Sequence, residues 1–380
     1  MQESPERVLH IVESLDRGAV ENWLVRMLVH ARDRGINVDW TFYCALGQPG
    51  DMDEKVRALG ARVIHSPVSI ARKADFVRAL RMELRGREYD VLHCHHDIMS
   101  AVYLLAASEM RIHRRIVHVH NADESLPTPS RLKQRLYREA MRRVCLFMAD
   151  RIVGISNHTL DTFLAGRARR PERDSVHYYG VDPAPFEKAT ADRVGFRRAC
   201  GLSDNALVLL FGGRLVPEKN PLFAVDVLAH LRRMEPQAIA VFAGAGSQEL
   251  DVIVRARVLG VENSVRLLGW RNDLPEIMSC SDWFILPHPE YPMEGFGLAV
   301  VEAQLAGLRM LLSSGVPDDP LLPTACFRHL RLSSGAEAWA IAAVELLESP
   351  APSRTAALAA LRGSPMNMDQ ALNGLLALHT

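Results

Sequence analysis

A chain of 380 residues is longer than one hydrophobic core usually supports, so we expect two domains. Its 45 lysines and arginines balance 45 aspartates and glutamates, and this neutral charge argues against a nucleic-acid-binding protein, whose affinity comes mainly from cationic side chains. The six cysteines are scattered singly, the start lacks the apolar core of a signal peptide, and no stretch is apolar enough to span a membrane, so we expect a cytoplasmic protein with reduced thiols.

Strands alternate with helices through the first half of the chain. The apolar run at 7–14 predicts a strand, and the amphipathic stretch at 20–35 predicts the helix that follows it. Further strands are predicted at 38–43, 61–66, 89–95, 114–120 and 150–156. This alternation is typical of a parallel sheet with helices on both faces.

The pattern restarts after a proline-punctuated linker at 181–190. The second set of strands is predicted at 206–213, 238–244, 264–269, 282–287 and 309–314. We therefore predict an α/β fold with two facing Rossmann-like domains, 1–182 and 183–365, and a cleft between them. Ligands of open α/β sheets bind beyond the carboxyl ends of the strands, so motifs at strand ends supply the candidate site residues.

The first strand-end motif is ESLDRGAVEN at 13–22, where Gly18 lies in the turn into a helix. A glycine there lets the backbone approach an anion, and the positive end of the helix favours phosphate. An ordinary strand-to-helix turn is the alternative explanation.

The second motif is FGGRLVPEKN at 211–220, which places two cations, Arg214 and Lys219, after a buried strand. An arginine can clamp two phosphate oxygens and a lysine adds a compact charge, so the loop suits a diphosphate. The alternative is a pair of solvated surface cations.

The third motif is EYPMEGFGLAVVEAQLAGLRM at 290–310, in which Glu294 and Glu302 flank a Gly-Phe-Gly loop at the start of a predicted helix. The loop amides and the helix N-terminus attract an anion, whereas the carboxylates suit paired hydroxyl groups. A nucleotide sugar carries both phosphate and vicinal hydroxyls. Alternatively, both glutamates are helix-start acids that complement the helix dipole.

These motifs resemble those of a known family. EGFGLAVVEAQLAG resembles the Glu-x7-Glu signature of the retaining, nucleotide-sugar-dependent glycosyltransferases of the GT-B fold, known as glycosyl transferase group 1 or family 4-like. GRLVPEKN, GAVEN and YYGVD are similar to further elements of that family, and the matches run in order from about residue 8 to 315. Two positions depart from the pattern: Ala19 replaces a second glycine and Tyr179 replaces an asparagine.

The resemblance implies a role for each matching residue of the second domain. Arg214 and Lys219 would neutralise the diphosphate leaving group without a metal ion. Glu294 would hold the donor sugar, and Glu302 would accept the ribose hydroxyls. The loop residues whose amides would help to hold the sugar are Gly295, Phe296, Gly297 and Leu298.

The resemblance also implies roles elsewhere. Gly18 and Ala19 would approach the donor phosphate or the acceptor, and the backbone of Trp270 and Arg271 would border the base. The donor would be a UDP- or GDP-sugar with no further cofactor, and the acceptor a hydroxyl of a glycan, a lipid-linked molecule or a small metabolite. The enzyme would be a glycosyltransferase of the hexosyltransferase type, in glycan, polysaccharide or glycosylated-metabolite biosynthesis. The segment 366–380 would form a helix that packs back on the first domain.

Histidines are dense at two predicted strand ends, HCHH at 93–96 and HVH at 118–120. Alternate residues of a strand share a face, so a zinc site is one interpretation, but no cysteine or carboxylate spacing completes it. Packed or capping histidines are the other interpretation. In the family a histidine at this strand end faces the donor sugar; His120 matches it best and His118 is the alternative.

The stretch 130–148 predicts a basic helix. Its apolar stripe would comprise Leu132, Leu136, Ala140, Val144 and Phe147. We expect this stripe to pack in the core with a solvated basic face around it. The alternative is peripheral contact with anionic lipid on the inner face of a membrane, which would suit a lipid-linked acceptor.

Two other functions remain open on sequence alone. One is a catalytically silent GT-B module that binds sugar nucleotides. The other is a dinucleotide-dependent oxidoreductase, because GAGSQE at 244–249 contains the first two glycines of that fingerprint.

Overall fold

The computed structural model describes residues 5–16, 18–121, 131–189 and 192–380. The chain divides into two compact units. The first contains residues up to Gly180 together with the C-terminal segment Met368–Thr380, and the second is Val181–Asn367. These divisions lie within two residues of the predicted boundaries at 182 and 365.

The described residues of the first unit form a seven-stranded parallel sheet flanked by helices. Its strands are β1 (Arg7–Val12), β2 (Asp39–Cys44), β3 (Arg62–His65), β4 (Val91–Cys94), β5 (Arg114–Val119), β6 (Arg151–Gly154) and β7 (Asp174–Val176), in the spatial order β3-β2-β1-β4-β5-β6-β7. Its helices before the linker are α1 (Ala19–Asp33), α2 (Asp53–Ala58), α3 (Lys73–Gly86), α4 (Ser100–Ala106), α5 (Arg131–Met148) and α6 (Asn157–Leu164). The strand order reverses between β1 and β4, and in open α/β sheets ligands bind beyond the carboxyl ends of the strands at such a switch point.

The described residues of the second unit repeat this plan with a six-stranded parallel sheet. Its strands are β8 (Leu207–Gly212), β9 (Ala238–Ala243), β10 (Val265–Gly269), β11 (Trp283–Leu286), β12 (Arg309–Ser313) and β13 (Phe327–Leu330), in the order β10-β9-β8-β11-β12-β13. Its helices are α7 (Ala184–Lys188), α8 (Arg193–Ala199), α9 (Pro221–Met234), α10 (Glu249–Val258), α11 (Leu274–Ser279), α12 (Leu298–Leu305), α13 (Gly335–Glu348) and α14 (Arg354–Arg362). The C-terminal helix α15 (Met368–His379) packs against α1 in the first unit.

The predicted α/β class with two parallel sheets is confirmed, and every predicted strand is present. The sequence did not predict two edge strands. β7 has three residues, and β13 alternates between half-buried and exposed positions, so neither carries the apolar run of a central strand. No helix in the described parts of the chain is both long and apolar enough to cross a bilayer.

The predicted orientation of helix α5 is wrong for most of its stripe. Leu132, Leu136 and Phe147 are 67%, 63% and 90% exposed, and Ala140 is exposed as well. The residues of α5 that belong to the core of the first unit or pack against it are Met141, Val144, Cys145, Leu146 and Met148, and all but Leu146 lie on one stripe. The helix carries two apolar stripes, and the one with the tighter i, i+3, i+4, i+7 spacing faces the sheet.

Candidate active site

The loops that follow five strands of the second sheet lie along its carboxyl edge, because all six strands are parallel. Backbone hydrogen bonds join these loops. The amide of Gly213 donates to Ala243 O at 3.0 Å, and the amide of Gly244 donates to Gly269 O at 2.8 Å. On the other side, the amide of Glu294 donates to Gly315 O at 2.8 Å. We call this row of loops the donor edge; it holds every site residue predicted for the second domain except Leu298 and Glu302, which lie in α12.

Glycines allow the loops after β8 and β9 to lie in direct contact. A Cβ atom at Gly244, whose φ is +153°, would lie 1.9 Å from Gly213 O, and one at Gly246 would lie 2.3 Å from Leu215 O. The glycines of GAGSQE therefore serve close backbone packing, which is a sufficient reason for them without a bound dinucleotide.

An ion pair joins two of the predicted residues. The Lys219 ammonium donates to Glu294 Oε2. His288, which directly follows the loop residue Pro287, places Nε2 3.7 Å from the same oxygen. The turn that carries Lys219 is fixed by Asn220, whose φ is +52° and whose side-chain amide donates to Pro287 O at 3.1 Å.

Charge around Glu294 keeps its carboxylate ionised. Burial alone would raise the pKa of Glu294, but the charges of Lys219, His288 and Arg214, together with the hydrogen bond from Lys219, lower it below its ordinary value. Burial lowers the pKa of His288, against the opposing charge of Glu294. Arg214 is exposed on the loop after β8, so its guanidinium faces solvent. The donor edge thus combines one ionised acceptor with two cations.

The Gly-Phe-Gly loop leads directly into α12. Gly297 precedes the helix with a φ of +90°, which an L side chain rarely adopts, and Phe296 is buried and anchors the loop. The first turn of α12 contains no acidic residue, since Glu302 is the fifth residue of the helix. Glu302 is therefore not a helix-start acid, and Glu294 lies three residues before the N-cap.

Trp270 and Arg271 lie at the same edge, immediately after β10. The indole of Trp270 is 54% exposed. The guanidinium of Arg271 donates to both oxygens of Asp273, at 2.7 and 2.5 Å, which holds the loop.

The predicted residues of the first unit lie at the ends of β1 and β5. Gly18 is the N-cap of α1 and Ala19 its first residue, and both are exposed. The buried Glu21 carboxylate folds back so closely that a Cβ atom at Gly18 would lie 2.1 Å from its Oε2. Burial raises the pKa of Glu21 to about 7.

The backbone amide and both ring nitrogens of His120 have partners. Its amide donates to Asp97 Oδ1 at 2.6 Å, Nδ1 lies 2.7 Å from the Tyr179 hydroxyl, and Nε2 lies 3.0 Å from His95 Nδ1. Burial lowers the pKa of His120 to about 4, so the ring is neutral at ordinary pH. His118, the alternative residue, is completely buried.

Sequence reasoning missed three residues with polar roles at these edges: Glu21, Asn220 and His288. GAVEN includes Glu21 and EKN includes Asn220, so both motifs were visible without an assigned role. His288 is not part of a recognisable sequence motif, so only its contact with Glu294 in the folded chain identifies it.

Two family models match the chain: Glycosyltransferase Family 4 at residues 20–185 and Glycosyl transferases group 1 at residues 195–317. The putative glycosyltransferase EpsF of Bacillus subtilis is 27% identical over 90% of this chain and 87% of its own. An Escherichia coli enzyme named UDP-Gal:alpha-D-GlcNAc-diphosphoundecaprenol alpha-1,3-galactosyltransferase is 27% identical over 69% of this chain and 67% of its own. This chain is a GT-B glycosyltransferase.

Solved structures agree with the fold of this glycosyltransferase. HepE of Anabaena in complex with UDP has a TM-score of 0.74 at 20% identity and covers 97% of this chain and 98% of its own. A glycosyltransferase from Rickettsia africae has a TM-score of 0.77 at 15% identity and covers 99% of this chain and 98% of its own. The group 1 match contains the whole donor edge, and membership of the family excludes the oxidoreductase alternative.

Proposed function

We propose that this glycosyltransferase transfers a sugar from a nucleotide-sugar donor to a hydroxyl acceptor, with retention of anomeric configuration and without a metal ion in the reaction. The observation that carries the proposal is the Lys219–Glu294 pair at the donor edge, beside the amide-lined start of α12. This pair brings together a cation that can bind phosphate and a carboxylate that can accept hydrogen bonds from hydroxyl groups.

The donor would bind by exchanging partners with this pair. The Lys219 ammonium would exchange part of its hydrogen bonding with Glu294 for hydrogen bonds to the diphosphate. Arg214 would contact the same phosphate oxygens from the exposed loop. Amides of the Gly295–Leu298 loop would meet phosphate or sugar oxygens at the helix N-terminus. The freed oxygen of Glu294 would then accept sugar hydroxyls, while Glu302 accepts the ribose hydroxyls and the backbone at Trp270 and Arg271 borders the base.

Charge stabilisation would drive the chemical step. As the glycosidic bond breaks, negative charge grows on the diphosphate, and Arg214 and Lys219 would stabilise it. These two cations supply the charge that a divalent ion supplies in other transferases, which supports a metal-independent reaction.

The first unit would contribute Gly18, Ala19 and His120. Both ring nitrogens of His120 already have partners, so it would orient the donor through its ring edge or by exchanging its bond with Tyr179 for one to the sugar. The exposed turn at Gly18 and Ala19 would allow close approach of the donor phosphate or the acceptor.

Ligand-dependent melting tests the donor assignment. UDP or GDP should raise the melting temperature and NAD should not, because only a nucleoside diphosphate matches the donor edge. One nucleotide sugar should then be hydrolysed slowly without an acceptor. Stabilisation by diphosphates with no hydrolysis or transfer from any nucleotide sugar would instead support a silent binding module.

The exposed face of α5 favours a lipid-linked acceptor at the cytoplasmic side of a membrane. Leu132, Leu136 and Phe147 point to solvent, with Lys133 and Arg135 exposed near them. Phe147 also borders a depression of about 580 Å³ whose other lining residues are Arg143, Leu146, Arg167, Ala168, Arg170 and Arg173. Glu139 offsets part of this charge through Arg142, Arg143 and Arg167. An apolar stripe with arginines beside it suits the interface of an anionic bilayer.

Sedimentation with anionic vesicles tests this surface. The protein should pellet at low salt and be released by high salt, because each cation near the surface contributes about 1 kcal/mol and is screened by ions. Replacing Leu132, Leu136 and Phe147 by Gln should abolish pelleting. Replacing Leu250 and Val258, which are equally exposed on α10, should not. Wild-type protein that stays in the supernatant at low salt would favour a soluble acceptor.

A further inference from the structure

Seven histidines gather in the core of the first unit. Each is at most 8% exposed, and they come from β1, the ends of β4 and β5, the segment after β7, and α15. They are His10, His93, His95, His118, His120, His177 and His379. We call them the histidine cluster. The proposed reaction uses only His120, so six buried imidazoles have no assigned role.

The rings contact one another through their nitrogens. His10 Nδ1 lies 3.0 Å from His95 Nε2, and His95 Nδ1 lies 3.0 Å from His120 Nε2. In a second row, His93 lies 3.0 Å from His379 Nε2 through Nδ1 and 3.1 Å from His118 Nδ1 through Nε2. Two buried nitrogens at the ends of these rows, His10 Nε2 and His118 Nε2, have no hydrogen-bond partner in the described part of the chain. A buried polar atom without a partner is rare in folded proteins and calls for a reason.

These imidazoles are neutral, because the dry core disfavours a charged ring. A neutral imidazole presents one lone pair, the form in which histidine binds metal ions. Ligands that are already deprotonated release no proton when an ion binds.

We propose that the histidine cluster binds one transition-metal ion of the zinc type through His10, His93 and His95. Ring nitrogens of these three residues lie within 4.8 Å of one another. Bonds of about 2.0–2.1 Å in a tetrahedral site put ligand nitrogens roughly 3.3 Å apart, so the 3.0 Å pair of His10 and His95 needs to separate by only a few tenths of an ångström.

The surrounding rings supply an outer shell for His93 and His95, whereas His10, bound through Nδ1, keeps an Nε2 without a partner in the described part of the chain. A metal-bound histidine usually donates its other N–H to a fixed acceptor. His95, bound through Nε2, keeps His120 at its Nδ1. His93 has His379 at one nitrogen and His118 at the other, so it keeps an imidazole partner whichever nitrogen binds the ion.

A second triad, His95, His118 and His120, satisfies the same distance limit. We favour the first triad because it leaves His120, the one histidine that the proposed reaction uses, outside the site and in contact with Tyr179 at 2.7 Å. A site at the first triad leaves that bond intact.

Nitrogen-only ligation selects zinc, nickel, copper or cobalt over magnesium and calcium, which prefer oxygen. The triad is at most 5% exposed, so no substrate reaches the ion and its role is structural. The ion would join β1 to the end of β4, and His379 would attach α15 to the same point. This site is separate from the donor edge and is compatible with a metal-independent reaction.

Elemental analysis of the full chain, purified without a histidine tag, is the direct test. We expect about one equivalent of a transition metal, an X-ray absorption spectrum with nitrogen or oxygen ligands at about 2.0–2.1 Å and no sulfur ligand, and a lower melting temperature after unfolding and refolding with a chelator. His10→Gln should lose the metal. His118→Gln should keep it, as should His230→Gln in the second unit.

Each contrary outcome is distinguishable. Metal lost in His118→Gln but kept in His10→Gln would move the site to the other triad and overturn the assignment. If His10→Gln does not fold, substitution of cobalt into refolded wild-type protein decides, because imidazole ligation changes its visible absorption. The proposal is refuted if wild-type protein binds no metal and its melting temperature does not change with added zinc or chelator. The cluster would then be only a hydrogen-bonded histidine network.

Discussion

Polar side chains at the carboxyl edges of the two sheets differ in their exposure to solvent and in their charge. At the donor edge, Lys219 and Glu294 come from loops, are partly exposed, and remain charged as a pair. At the end of β4 and β5 in the first unit, His95 and His120 turn inward and remain neutral. A polar side chain in a loop stays in contact with solvent and can remain charged. One at a buried strand end has no solvent contact and is neutral, so it needs other polar groups as hydrogen-bond partners. The first arrangement suits a charged ligand that comes and goes, and the second suits a permanent contact.

Removing a cation from the donor edge should have the largest effect on binding. Lys219→Ala should weaken UDP or GDP binding by about 10- to 150-fold, since a charged hydrogen bond contributes about 1.5–3 kcal/mol. Arg214→Ala should reduce the affinity less, because Arg214 is exposed and solvent screens its charge. Calorimetry measures both, with Lys188→Ala as the control on an exposed helix. Unchanged affinity in both variants would leave these residues as surface cations.

Adding a methyl group between two donor-edge loops should separate them. Gly244→Ala combines a φ of +153° with a Cβ atom 1.9 Å from Gly213 O, so we expect a loss of about 1–3 kcal/mol in the free energy of unfolding. Gly260→Ala is the matched control, because Gly260 also has a positive φ but nothing within 4 Å of the added atom. Equal losses in urea unfolding of the two variants would show that loop contact is not what requires Gly244.

The buried carboxyl group of Glu21 should make the stability of the first unit depend on pH. Glu21 has a pKa of about 7 when folded and 4.5 as its ordinary value, so the unfolded chain releases this proton first as pH rises. Stability from Glu21 is therefore complete below about pH 4.5 and lost as pH rises through 7, by roughly 2–3 kcal/mol. Glu21→Gln should be more stable than wild type at pH 8 and equal to it at pH 4.5. Glu54→Gln, on an exposed residue of α2, should show no such crossover.

The donor edge was predictable because its residues follow strands in short motifs. Once strand alternation placed GRLVPEKN and EGFGLAVVEAQ after parallel strands, their meeting at one edge followed from topology. The histidine cluster was not predictable, since it joins five segments and His379 lies 286 residues from His93. Strand alternation indicated only that His93 and His95 share a face. Periodicity also failed on α5, because a helix with two apolar stripes does not reveal which one meets the core.

Glu294→Gln tests the central claim, that the donor edge binds and activates a nucleotide sugar, most directly. Gln keeps the shape of the side chain but loses the charge that accepts sugar hydroxyls, so donor hydrolysis should fall about 10- to 150-fold. Nucleoside diphosphate affinity should not fall, because Lys219 is then released from its partner and Arg214 is untouched. Glu262→Gln in the same unit serves as the control. Full activity of Glu294→Gln with every donor that wild type hydrolyses would contradict the account.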